Sequence, residues 1–211
     1  MSRRKDTLRK PTRKACKAAT RPSTALLNDT MSKDFPGYSG PTASVEVPLE
    51  MLAACHHRIE RQCSTLVRLS AHLQHHGSDA QASTAATAIM RYFETAALQH
   101  HADEEQDLFP ALVESMAGSD AVCIRELIEG LTADHRRLEA MWKGLKPVLQ
   151  QIEAGEPALL DQDQVESFAD LYESHMKRED DELIPMAGRL LSDDAITRIG
   201  RAMRQRRGIP D

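Results

Sequence analysis

Two stretches of the chain pair an imidazole with a carboxylate at identical spacing. His100-x3-Glu104-Glu105-x2-Leu108-Phe109-Pro110 matches His175-x3-Glu179-Asp180-x2-Leu183-Ile184-Pro185. On a helix, residues four apart share a face about 6 Å apart, so each pair can grip one cation. A second match precedes them: His56-His57-Arg58-Ile59-Glu60 against His135-Arg136-Arg137-Leu138-Glu139. His56 lies 44 residues before His100 and His135 lies 40 before His175, while Phe93 and Phe168 each stand seven residues before the later histidine. The chain therefore contains two copies of one helical hairpin. Two such hairpins are expected to pack about a pseudo-twofold axis, with the six side chains on it.

All six residues fall in apolar stripes. A lone histidine there is ordinarily a core residue bonded to a carbonyl. Six converging ligand types, two of them carboxylates that cost several kcal/mol each to bury unpaired, call for a cation. Four imidazoles with two carboxylates suit iron, with manganese as the second choice, whereas structural zinc prefers thiolates or a closed set of four. Two carboxylates able to bridge imply a binuclear centre. A ferritin-like site needs Glu-x-x-His pairs, and none of the nine histidines has a Glu three residues earlier. His101-x3-Glu105 also has ligand spacing, but only His100-x3-Glu104 keeps register with the second copy. His101 and His57 are accordingly expected as outer or exposed neighbours, with Glu105 beside them. Asp180 competes with Glu179, since a carboxylate at i,i+5 also reaches the centre. His72, His75 and His76 are expected to serve the negative end of the first helix rather than a peripheral metal. Tyr172 is expected in the core, with a hydrogen bond to a bound ligand as the alternative.

These residues need helices to hold them, and the periodicity supplies them. Leu49, Leu52, His56, Ile59, Cys63, Leu66, Ser70 and Leu73 step by three and four between Pro48 and Gly77. A second helix is expected from Ser78 or Asp79 to Gly118, a third from Ser119 to Gly155, and a fourth from about Asp161 through Leu190. Pro147 should kink or divide the third. A short last helix follows Ser192 with five arginines, which suits a helix C-terminus. The expected fold is all-α: an antiparallel up-and-down four-helix bundle with a short additional C-terminal helix.

Composition agrees with a single domain plus an extension. Hydrophobic residues make up 41% and charged residues 28%, with aromatics only 4%, which favours helix over sheet. The net charge of -5 hides an asymmetry: residues 1–24 hold nine Lys/Arg against one Asp, +8, leaving -13 on the rest. Residues 1–47 are read as a disordered basic arm, a solubilising extension with nucleic acid, a protein partner or a transit role as alternatives, and 48–211 as the bundle. No apolar stretch approaches the ~20 residues of a membrane span, and no Sec-type signal is evident. The four cysteines, without C-x-x-C spacing, read as reduced thiols of a cytoplasmic protein.

One histidine on each of four helices, two H-x3-E pairs and the L-[FI]-P endings resemble the hemerythrin-like, HHE cation-binding family, over roughly Pro48 to Gly208. The resemblance implies an antiparallel bundle with a non-haem di-iron centre that meets O2, held by His56, His100, Glu104, His135, His175 and Glu179. Oxygen-carrying hemerythrins have a further histidine one turn from that of the third helix. Here those positions are Leu131 and Glu139, so oxidation to a diferric form is expected rather than lasting reversible carriage. The function expected is binding or sensing of O2, peroxide or NO, or iron buffering. The alternatives are an iron-dependent regulatory protein and a small oxidase or NO-reducing enzyme, and metal and oxygen binding is preferred to turnover.

Overall fold

In the computed structural model the described residues are 47–115 and 120–210, and their regular structure is all helical, without strands. They belong to one unit, Asp34–Asp211. The basic arm expected over residues 1–47 lies, apart from Val47, outside the described residues. Helix α1 is Pro48–His76, α2 Ala80–Phe93, α3 Ala96–Asp103, α4 Phe109–Glu114, α5 Asp120–Glu153, α6 Gln162–Arg178, α7 Ile184–Leu190 and α8 Asp193–Arg206. Helix α1 packs on α2 and α6, and α5 packs on the same two, so the four long elements close a ring. This is the expected all-α bundle. Among the described residues no helix is long and apolar enough to cross a membrane.

The helix ends follow the sequence signals. Pro48 opens α1, where a missing N–H costs nothing, and Gly77 closes it at φ 68°. Asp79, Asp161 and Ser192 each accept a hydrogen bond from the backbone N–H three residues on, capping α2, α6 and α8. Past α5, Gly155 sits at φ 73° while Glu156 N–H bonds Gln151 O and Gly155 N–H bonds Ile152 O, which satisfies the last carbonyls.

Three expectations need correction. Pro147 does not divide the third helix, because α5 runs unbroken to Glu153. Pro147 and Lys143 are exposed, so water can reach the carbonyl left without its donor, while Leu145, Leu149 and Ile152 anchor both sides in the core. The second helix is interrupted at Glu94–Thr95. The Thr95 hydroxyl donates to Arg91 O at 2.6 Å and its N–H turns to Tyr92 O, a local alternative to the helical ladder. The third correction concerns both the second and the fourth helix. Each passes through a π-helical turn, Glu104–Leu108 and Glu179–Leu183.

The π turns have a common cause in Pro110 and Pro185. Each proline lacks the N–H that the carbonyl four residues back would receive, and its ring crowds that carbonyl. The ladder changes register instead: Phe109 N–H bonds Glu104 O, and Ile184 N–H bonds Glu179 O. A widened turn opens on each carboxylate in question.

The core divides into two apolar clusters. One gathers Ile59, Phe93, Leu138 and Phe168; the other gathers Leu52, Leu108, Leu131 and Leu183. His56 falls between Leu52 and Ile59 on α1, and His135 between Leu131 and Leu138 on α5. A polar layer thus lies between two dry ones. The repeat-related rings Phe93 and Phe168 meet edge to face at 5.2 Å, so the two hairpins touch through equivalent residues.

Candidate metal centre

The six sequence-selected residues all enter the polar layer, and all six are buried. They form two groups of potential ligands that share both carboxylates. His56, His100, Glu104 and Glu179 make one; His135, His175, Glu104 and Glu179 make the other.

Each carboxylate spans the two groups. Glu104 turns Oε1 to His100 Nε2 at 3.5 Å and Oε2 to His135 Nε2 at 3.2 Å. Glu179 turns Oε2 to His56 Nε2 at 3.1 Å and Oε1 to His175 Nε2 at 3.0 Å. These separations are short, yet several of the atoms lack hydrogen-bond geometry. His56 Nε2, His100 Nε2, Glu104 Oε2 and both Glu179 oxygens are buried without a hydrogen-bond partner among the described residues. Buried polar atoms left unpaired are costly and rare, and here they converge on a shared interior. The donor set fits a cation.

The outer nitrogens of His56 and His135 are handled differently. Asp180 Oδ1 meets His56 Nδ1 at 2.8 Å, and Glu105 Oε1 meets His135 Nδ1 at 2.7 Å. Orientation of a ligating imidazole by a carboxylate on its far nitrogen is a recurrent feature of metal sites. The exchange is reciprocal: the acid following Glu179 steadies a histidine of the first hairpin, and the acid following Glu104 steadies one of the second. Asp180, a rival of Glu179 in the sequence, is 49% exposed and stands outside the cluster, whereas Glu179 is fully buried within it.

Electrostatics prepare the donors unequally. Burial, with His56 nearby, holds His100 well below the usual imidazole range and hence neutral, as a ligand must be. Burial opposes protonation of His56, but the hydrogen bond to Asp180 and the Glu179 carboxylate hold it up at about 10. Burial and the adjacent Glu179 push Glu104 well above the usual carboxylate range. Burial acts the same way on Glu179, but His175 and His56 outweigh it and hold that carboxyl well below the range. Two acids this close divide one negative charge between them unless a cation intervenes.

Several residues escaped the sequence reading. Asp103, directly before Glu104, is fully buried and bound by Arg206 and by Arg207, whose Nη2 lies 2.6 Å from Oδ2. Arg206 also reaches Asp107 at 2.7 Å. The arginines expected to serve the α8 terminus therefore tie that helix to the first π turn. On the other hairpin Arg178, directly before Glu179, bonds Asp134 at 2.9 Å. The available signal was charge beside a ligand, but pairing across 103 residues of chain leaves no local pattern.

Of the remaining histidines, His101 lies against the cluster, stacked on His135 at 3.9 Å, and the others separate cleanly. His57 is 74% exposed and outside the cluster. His72 meets the α2 cap Asp79 at 3.0 Å and stacks on His76, and neither residue belongs to a group of ligands close enough to hold a metal among the described residues. Tyr172 is buried in the aromatic cluster beside Phe93 and Phe168, and burial pushes its hydroxyl well up. Burial likewise pushes the Cys63 thiol up to about 12, which leaves it a core residue.

Comparison with known proteins agrees with this geometry. Residues 47–187 match the model of the hemerythrin HHE cation binding domain, which covers α1 through the π turn after α6 and into α7. The chain belongs to the hemerythrin HHE family. It is also 32% identical over 164 residues to an uncharacterized protein of Haemophilus influenzae, covering 78% of this chain and 92% of that one. Members of this family are built to bind cations, and the His/Glu layer is where this HHE chain gathers ligands for one. Helix α8, with its arginine clamp, lies beyond the family match.

Proposed function

We propose that the protein is a non-haem di-iron protein of hemerythrin type, which binds or senses O2, NO or peroxide, or buffers iron, without catalytic turnover. The observation that carries this reading is that Glu104 and Glu179 each aim one oxygen at either pair of histidines. His56 and His100 would hold one ion and His135 and His175 the other, with both carboxylates bridging. Iron in that setting supplies an exchangeable coordination position for a small oxygen- or nitrogen-containing ligand. Asp180 and Glu105 fix the imidazole planes, and the flanking leucine and phenylalanine clusters keep bulk water from the layer. Manganese suits the same donors and is the competing metal. The domain division and a cytoplasmic location belong to the same proposal: residues 1–47 as a basic extension by composition, and 48–211 as the domain that holds the centre.

Elemental analysis after expression in iron-replete medium is expected to give about two iron atoms per chain, on the ligand count of such sites. One zinc and no iron would refute the reading. An anaerobic absorption spectrum of the iron-loaded protein, before and after O2, then tests ligand reactivity. Chelation should lower the melting temperature, since metal bound only by the native state stabilises it, yet leave helical circular dichroism from the two apolar clusters. An unchanged melting curve would mean that these residues hold no metal.

A further inference from the structure

His101 breaks the symmetry of the two ligand groups. The second copy of the hairpin has Met176 at the equivalent position, a buried apolar side chain. His101 instead lies between the two groups, 5.8 Å from the ring of His100 and closer still to that of His135. Its ring stacks on His135, with centroids 3.9 Å apart and planes 15° apart, and meets His175 edge-on at 6.0 Å. Ligand nitrogens of His101, His135 and His175 all lie within 4.8 Å of one another. The Nε2 of His101 is buried and has no hydrogen-bond partner among the described residues.

The positions on α5 one turn either side of His135 offer no ligand. Leu131 is buried in the apolar cluster, and Glu139 is half-exposed and paired with Lys143 at 3.2 Å. We infer that His101, its ring tilted out of the stack so that Nε2 points at the ion, is a third imidazole donor to the metal position held by His135 and His175, so that the two positions are unequal: two imidazoles at one, three at the other. The donor comes from α3 of the first hairpin and completes the group of the second. The inference rests on the binuclear reading above, and the test separates the two.

Apo-protein would be titrated with Co(II) under nitrogen, following the visible d–d bands, for the wild type and three variants. His101→Phe keeps a ring to stack on His135 and removes the nitrogen. His101→Ala opens a space that free imidazole can enter, and His175→Ala removes a residue of the main cluster. His101→Phe should weaken one of two Co(II) sites by about tenfold or more and change its bands, leaving the other site intact. His101→Ala should do the same and recover both affinity and bands when imidazole is added. Wild-type isotherms and bands in His101→Phe, while His175→Ala loses metal, would overturn this inference alone. Weakening that imidazole does not restore would also overturn it, by reducing His101 to a packing role. A wild-type isotherm that saturates at one Co(II), or undiminished binding of both ions by His175→Ala, would instead defeat the binuclear reading with these ligands.

Discussion

The two hairpins present the same ligands and secure them by different means. In the first, the residue before the carboxylate is Asp103, fully buried and clamped by Arg206 and Arg207 from α8. In the second it is Arg178, partly exposed, whose partner Asp134 lies on the adjacent α5. The charge at this position is thus reversed between the copies. The first also carries a break at Glu94–Thr95, where α6 runs on continuously. Duplication accounts for the ligand layer; divergence around it makes the first hairpin depend on the C-terminal helix for the partner beside its carboxylate, where the second supplies that partner from its own α5.

That contrast can be broken most severely at the shared carboxylates. Glu104→Ala should reduce metal content at both positions to near background, because each of its oxygens faces a different pair of histidines. His56→Ala, which touches one group only, should spare the other. Metal analysis of the two purified variants decides the matter, and equal losses would show that the carboxylate does not span the groups.

A smaller effect should separate the two supports. Arg206→Ala/Arg207→Ala together strand the buried Asp103 and should cost about 3–5 kcal/mol in denaturant unfolding. Arg178→Ala removes a partly exposed partner and should cost about 1 kcal/mol or less. Similar losses in the two proteins would mean that α8 adds no special constraint.

The finest test asks whether the orienting acids are as equivalent as the repeat implies. Asp180→Asn and Glu105→Gln should each weaken metal binding by roughly 10- to 100-fold, since each steadies one imidazole through its outer nitrogen. Competition against a chelator of known affinity measures both. A loss confined to Glu105→Gln would mark the His135 position as the more demanding, in line with its stacked neighbour His101.

Much of this was legible in the chain itself. The three-and-four spacing of the stripes, with Pro48, Asp79, Asp161, Ser192 and Gly155 at the boundaries, determined the helices, because these signals act within one or two turns. The duplicated His/Glu pattern determined which side chains meet, because two copies of one hairpin can bury equivalent faces only against each other. The π turns were less visible. Pro110 and Pro185 mark them, but whether a helix answers a proline by ending, kinking or widening depends on what packs around it. Only tertiary structure decided the rest. A count along an ideal helix puts Glu179 on the face of His175 but leaves Asp180 a rival; packing decides between them, with Glu179 buried in the cluster and Asp180 turned to the outer nitrogen of His56. Arg206 and Arg207 find Asp103 because α8 folds back over α3, a contact without local precedent in the sequence. His101 turns towards His135 because neighbouring residues on a helix point about 100° apart, and which neighbouring helix lies in that direction is set by packing.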